Sequence, residues 1–147
     1  MIEHAWTVVC SHSVIDVETK NVSLHNVVEQ LNVPEELRTE TMLGYPLEVV
    51  SLWSRAEPHT SAVGEARVVL VAPSGRELGS GSYAIDLSEH ERFRSRIRLR
   101  GVPAEGPGRY VFKVYLRSEG ETDWKPVAGI PLSVTITASG AKPNQQA

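Results

Sequence analysis

Between Arg92 and Arg100 every second residue is an arginine: Arg92, Arg94, Arg96, Arg98 and Arg100 alternate with Phe93, Ser95, Ile97 and Leu99. Successive side chains of an extended chain leave on opposite sides. The five guanidinium groups therefore share one face, about 6.6 Å apart, while Phe93, Ile97 and Leu99 turn toward a core. A guanidinium presents its N–H donors in a planar fork that matches a carboxylate or a phosphate. A row of them is a surface for docking an anion. Residues 109–118 alternate in the same way, with Arg109, Lys113 and Arg117 on one face and Tyr110, Phe112, Val114 and Leu116 on the other. Pairing the two segments as a hairpin, with Arg100 opposite Arg109, sets Leu99 against Tyr110, Ile97 against Phe112 and Phe93 against Leu116. A slip of one residue would destroy that match. This register predicts one face holding Arg92, Arg94, Arg96, Arg98, Arg100, Arg109, Lys113 and Arg117 with no acid among them. Removing these eight positive charges from a net charge of −3 leaves −11 for the rest of the chain. An unplaced neighbour bringing Glu48 or Glu65 opposite the row would instead make it an ordinary solvated, paired surface.

Other groupings of chemically competent residues are weaker. His4, Cys10 and His12 have the same parity along one segment, with His25 nearby, and histidine and cysteine are zinc ligands. Cys10 also continues the apolar face of Trp6 and Val8, where a thiol packs as a small hydrophobe. No metal and no cofactor are expected. Gly79-Ser80-Gly81-Ser82 lies within a strand-like run and lacks the strand-to-helix turn of a nucleophile elbow. The acids at Asp86, Glu89, Glu91, Glu119, Glu121 and Asp123 fall in loops, where solvated charge is the ordinary state. With no nucleophile, base and orienting group brought together by spacing, the chain is read as non-catalytic.

The elements that must position these residues are strands. Val, Ile and Thr are abundant and 20 Gly and Pro residues punctuate the chain, a balance that favours strands joined by turns. Alternation marks Trp6–Val14, a turn over Asp16–Asn21, then Val22–Leu31, Tyr45–Ala56, Glu65–Ala72, Arg76–Leu87, Arg92–Gly101 and Arg109–Ser118. Gly79 and Gly81 point to a bulge or a close backbone approach. A final stretch, Trp124–Thr137, contains Pro126 and Pro131 and is expected at a sheet edge, or as two short pieces. Pro34 ahead of two acids predicts one short helical turn near residues 34–38. The fold class is all-β: a single antiparallel β-sandwich of about eight strands over residues 1–138, followed by a flexible C-terminal tail at 139–147.

The opening, from His4-Ala5-Trp6-Thr7-Val8-Val9-Cys10 through Asn21-Val22-Ser23-Leu24-His25-Asn26-Val27, resembles a family of small uncharacterised bacterial β-sandwich proteins. The closing Gly108-Arg109-Tyr110-Val111-Phe112 and Ile130-Pro131-Leu132-Ser133-Val134 fit the same family. The resemblance implies a bacterial sandwich and supplies no catalytic residue.

One cysteine excludes an internal disulfide. The residues after Met1 show neither a basic leader nor an apolar run long enough to span a bilayer. A cytoplasmic location without membrane insertion is expected. The expected function is a non-catalytic interaction or assembly module that docks an acidic protein surface, or the acidic part of a second copy, on the arginine-rich face. Anion or nucleic-acid binding through that face is the alternative. Nucleic acid is disfavoured, because no recognition helix and no aromatic pair accompany the arginines. A metal-binding or small-ligand protein is the remaining reading.

Overall fold

The computed structural model describes residues 1–35, 42–103 and 105–137. Among them the chain forms β1 (Ile2–Ile15), β2 (Val22–Val27), β3 (Gln30–Pro34), β4 (Met42–Leu43), β5 (Leu47–Arg55), β6 (Ala62–Val71), β7 (Glu77–Leu87), β8 (Arg92–Leu99), β9 (Val102–Pro103), β10 (Gly108–Ser118) and β11 (Lys125–Thr137). One sheet has the order β2-β1-β5-β8 and a second the order β3-β11-β10-β6-β7, with β4 and β9 forming a separate pair. Every pairing is antiparallel except that of β3 with β11. Val9, Leu47, Val49 and Trp53 of the first sheet form one buried cluster with Val68, Leu70, Phe112, Val114 and Leu132 of the second. The all-β sandwich expected from alternation is the fold, because each strand has one apolar face and two such sheets bury theirs against each other.

Four details depart from expectation. The run Val22–Leu31 is not one strand. Asn26 adopts a left-handed φ of 56°, which a short polar side chain tolerates, and the chain leaves the first sheet to start β3 in the second. There Leu31 and Val33 are buried in the core. Pro34 is the last residue of β3 rather than the first of a helix, and Glu35 directly after it takes a 3-10 conformation; residues 36–38 of the expected turn, like the tail at 139–147, lie outside the described residues. The proline-bearing strand is not an edge, since β11 sits between β10 and β3. However, β3 accompanies only Ser133–Thr137, so Pro126 and Pro131 occupy the half whose single neighbour is β10. A missing N–H is harmless on the unpaired side.

The fourth departure matters most for function: β8 and β10 are not partners. β8 pairs with β5, setting Ile97 beside Val49, whereas β10 pairs with β11 and β6. The apolar match that suggested a hairpin is real, but it spans the core. Ile97 and Phe112 face the same space from opposite sheets.

β8 is the outermost strand of the first sheet and β7 the outermost strand of the second. The Arg55 guanidinium donates to the carbonyls of Leu87, Ser88 and Pro58 at 2.8, 3.0 and 2.8 Å, fastening the crossover between them. Inside, the Tyr83 hydroxyl on β7 accepts hydrogen bonds from Trp53 Nε1 on β5 (3.0 Å) and from the Ser95 hydroxyl on β8 (2.7 Å). One oxygen thus ties both sheets together beside their outer strands. No helix among the described residues is long and apolar enough to cross a membrane.

Replacing Tyr83 by Phe keeps the ring but strands two donors between the sheets. Y83F should lower the unfolding free energy by about 1–3 kcal/mol, read from the urea midpoint. An unchanged midpoint would show that the tie contributes nothing.

Candidate functional site

The outer face of the first sheet is fixed by register. Trp53 points inward, being fully buried and bonded to Tyr83 of the other sheet. Its chain neighbours Leu52 and Ser54, and every second residue from them, therefore point outward. Across β5, Glu48 is paired with Arg98, Val50 with Arg96, Leu52 with Arg94 and Ser54 with Arg92. On the other flank Cys10, Val8 and Trp6 of β1 are paired with Glu48, Val50 and Leu52. The arginine row thus faces outward as expected, and it shares that face with Trp6, Val8 and Cys10. An irregularity between His4 and Trp6 shifts the parity of β1, so that Thr7 and Val9, not Trp6 and Val8, continue the inward set.

An apolar outer face needs a cover, and the β1–β2 hairpin supplies it. The Arg94 guanidinium donates through Nη2 to the Lys20 carbonyl at the hairpin turn (3.1 Å). Lys20 follows Trp6 by fourteen positions, a separation that a straight strand would stretch to about 46 Å. Instead Thr19, Lys20, Asn21 and Val22 enclose a cavity of about 580 Å³ with Trp6, Leu52, Arg92 and Arg94. The hairpin folds back over the sheet. Its turn is knit by Asp16, whose carboxylate accepts the backbone N–H groups of Thr19 and Glu18 at 2.7 and 2.9 Å. Those donors hold the carboxyl below its usual range. Arg94 is consequently occupied; its Nε is buried with no partner among the described residues.

Glu48 is the acid that reaches the row. Its side chain is 7% exposed, against 69% for Arg98. It accepts the Ser13 hydroxyl at 2.6 Å and Arg98 Nε at 3.0 Å, and Arg96 Nη1 reaches the same Ser13 hydroxyl at 3.3 Å. Burial opposes the charged form of Glu48. Ser13 and Arg98 outweigh it, and the carboxyl is held below its ordinary value. The hairpin, β5 and β8 meet at this carboxylate.

The expected composite face does not form. Arg109, Lys113 and Arg117 project from β10 on the outer side of the other sheet. There Arg117 donates to Glu65 at 2.9 Å and stacks on Trp124 at 4.3 Å. The eight cations are divided between opposite surfaces, because the apolar pattern that placed them together was matched across the core. Arg92, Arg96, Arg98 and Arg100 remain exposed on the first sheet.

His4 and Cys10 leave β1 on opposite sides. The His4 ring packs edge-on to Trp53 at 5.0 Å and bonds the Thr7 hydroxyl at 2.7 Å, and burial lowers its pKa. Cys10 is buried on the face of β1 that carries Glu48's neighbours, where burial and then the Glu48 charge raise the thiol pKa. His12 stacks on His25 at 4.6 Å. Among the described residues no group of three or more His, Cys, Asp or Glu side chains is placed to share a metal ion.

The alternation placed the β1–β2 hairpin, which forms, but sequence reasoning missed that it folds back over the sheet and missed the roles of Ser13 and Lys20. The signal was present in Leu47–Trp53, whose apolar residues occupy both parities. Such a run is buried on both faces, so something must lie outside it.

A carboxyl held low in the folded state stabilises the fold fully above its ordinary value of 4.5, and that stabilisation is lost as pH falls through the folded value. E48Q should therefore be less stable than the parent by about 1–2 kcal/mol near neutral pH, with the gap closing in acid. Denaturant midpoints of both proteins at the two pH values measure it; a pH-independent gap would contradict the assignment. The chain matches no protein-family model and no curated protein.

Proposed function

We propose that the protein is a non-catalytic binding module whose β8 edge accepts an acidic, extended segment of a partner protein as an added strand. The observation that carries this reading is the position of β8. It is the outermost strand of its sheet, with no strand on its far side among the described residues, and it exposes Arg92, Arg96 and Arg98, with Arg100 immediately after it. Half of the backbone N–H and C=O groups of an edge strand point away from its one neighbour and are free to pair. Strand addition uses those groups for affinity and alternate side chains for specificity.

The spacing of the arginines favours a protein segment. Residues two apart on β8 are separated by the same distance as residues two apart on any strand laid beside it. Each arginine then meets an acid at cross-strand distance without adjustment. A nucleic acid would require stacking aromatics or a groove-reading element, and the exposed arginines have neither between them. Arg109, Lys113 and Arg117 take no part.

A fluorescently labelled peptide alternating glutamate with threonine tests the reading by anisotropy against the full chain. It should bind, weaken as salt rises, and lose about tenfold or more in affinity to the double variant Arg96→Glu, Arg100→Glu. The same peptide interrupted by proline should bind no better than that variant does. Absence of binding, or tighter binding of duplex DNA than of the peptide, would overturn the proposal.

A further inference from the structure

The sandwich is filled at one end of the β7–β8 opening and unfilled at the other. Near Tyr83, the two sheets are joined by Trp53, Ser95 and the tyrosine itself. Further along, Gly79 and Gly81 stand opposite Leu70 and Val68 on β6, residues that point into the core. The two glycines thus occupy core-facing positions of β7 without a side chain to contribute. A Cβ built on either would meet nothing within 4 Å. Gly64 on β6 is the contrast: a Cβ there would lie 2.7 Å from the Arg117 carbonyl. The space beside Gly79 and Gly81 is a slot of about 250 Å³, lined by Val49, Val68, Leu70, Ile97, Leu99 and Phe112 among others. Protein interiors are ordinarily packed to near crystal density. This opening is larger than a dry cavity of about 150 Å³ that admits benzene and smaller than the common range for drug-sized ligands, which starts at about 300 Å³. Its size suits a large side chain.

The slot and the arginine row belong to the same strand. Ile97 and Leu99 of β8 line the slot, while Arg96 and Arg98 point to the outside. A strand added at the β8 edge presents its own side chains to the same two sides alternately. We infer that the segment taken by β8 alternates acidic with apolar residues: the acids pair with Arg96 and Arg98, and the apolar side chains opposite Ile97 and Leu99 enter the slot left by Gly79 and Gly81. This rests on the strand-addition reading above and adds the identity of the inward residues. The partner completes the core that β7 leaves unfilled.

Valine and threonine have nearly the same shape and both favour strands, so they isolate the contribution of the slot. The glutamate–threonine peptide is compared with one of equal length and charge that alternates glutamate with valine. The full chain should bind the valine peptide about tenfold or more tightly than the threonine peptide. G81L, which fills the slot from within, should abolish that preference. Should G81L not fold, the double variant Gly79→Ala, Gly81→Ala, which adds only two methyl groups to open space, should reduce the preference. Equal affinity for the two peptides, or a preference that persists in the filled variants, would overturn the slot inference while leaving strand addition standing. If neither peptide binds, both fall.

Discussion

The Tyr83 hydroxyl is the point on which the geometry of the open side depends. A sandwich is stabilised by non-directional burial, which brings two sheets together but does not by itself fix how their edges meet. The hydrogen bonds from Trp53 and Ser95 to one oxygen make that meeting specific. They hold β7 against β5 and β8 at one end, and Arg55 fastens the crossover beside it. The remainder of the β7–β8 opening is then defined by what β7 carries. Where it carries Tyr83, Ile85 and Leu87, the core is closed. Where it carries Gly79 and Gly81, the walls of the core are reached from outside. The position of the slot follows from one polar contact and two absent side chains.

How much of this the sequence disclosed depends on what each residue pattern can distinguish. Alternation identified eight strands, because it depends only on each segment having one apolar side, but it merged β3 into β2 and passed over the two-residue β4 and β9. It could not identify neighbours. In a sandwich, the residues facing each other across the core obey the same apolar matching as residues side by side in a sheet, so Ile97 with Phe112 fits both descriptions. The error joined on one face two basic surfaces that the fold keeps apart. Alternation was equally silent about Trp6 and Val8, since it marks an apolar face without saying whether the opposite sheet or a folded-back hairpin covers it. The break at Asn26 left no glycine or proline to announce it. The prolines of β11 were correctly read as incompatible with two neighbours, but only the half of the strand that contains them lacks the second one.

Charge on the β8 edge selects among partners as well as attracting them. An edge strand is a template for pairing with any other strand, including its own copy. Two copies of β8 laid against each other bring arginine toward arginine along their outward faces, and like charges at cross-strand distance destabilise a sheet. An acidic segment converts the same positions into favourable pairs. The feature that protects the monomer from edge-to-edge association thus gives the edge its specificity, since discrimination often relies on repulsion of the wrong partner.

Glu48 gives this surface a fixed geometry at little cost in accessibility. Its carboxylate is buried, yet it engages Arg98 only through Nε, and the Arg98 side chain remains largely exposed. The terminal nitrogens of the guanidinium stay available while its orientation is held from below. An arginine free in solvent loses rotamer entropy when it pairs; Arg98 has already lost much of that freedom on folding, so an incoming carboxylate meets a fork that is set in advance. Arg96 is similarly steadied by the Ser13 hydroxyl, on the hairpin that also shields the sheet. The hairpin therefore does more than cover Trp6 and Val8. Through Ser13 it positions both Glu48 and Arg96, and the part of the chain that closes the outer face also aligns the residues that β8 presents from it.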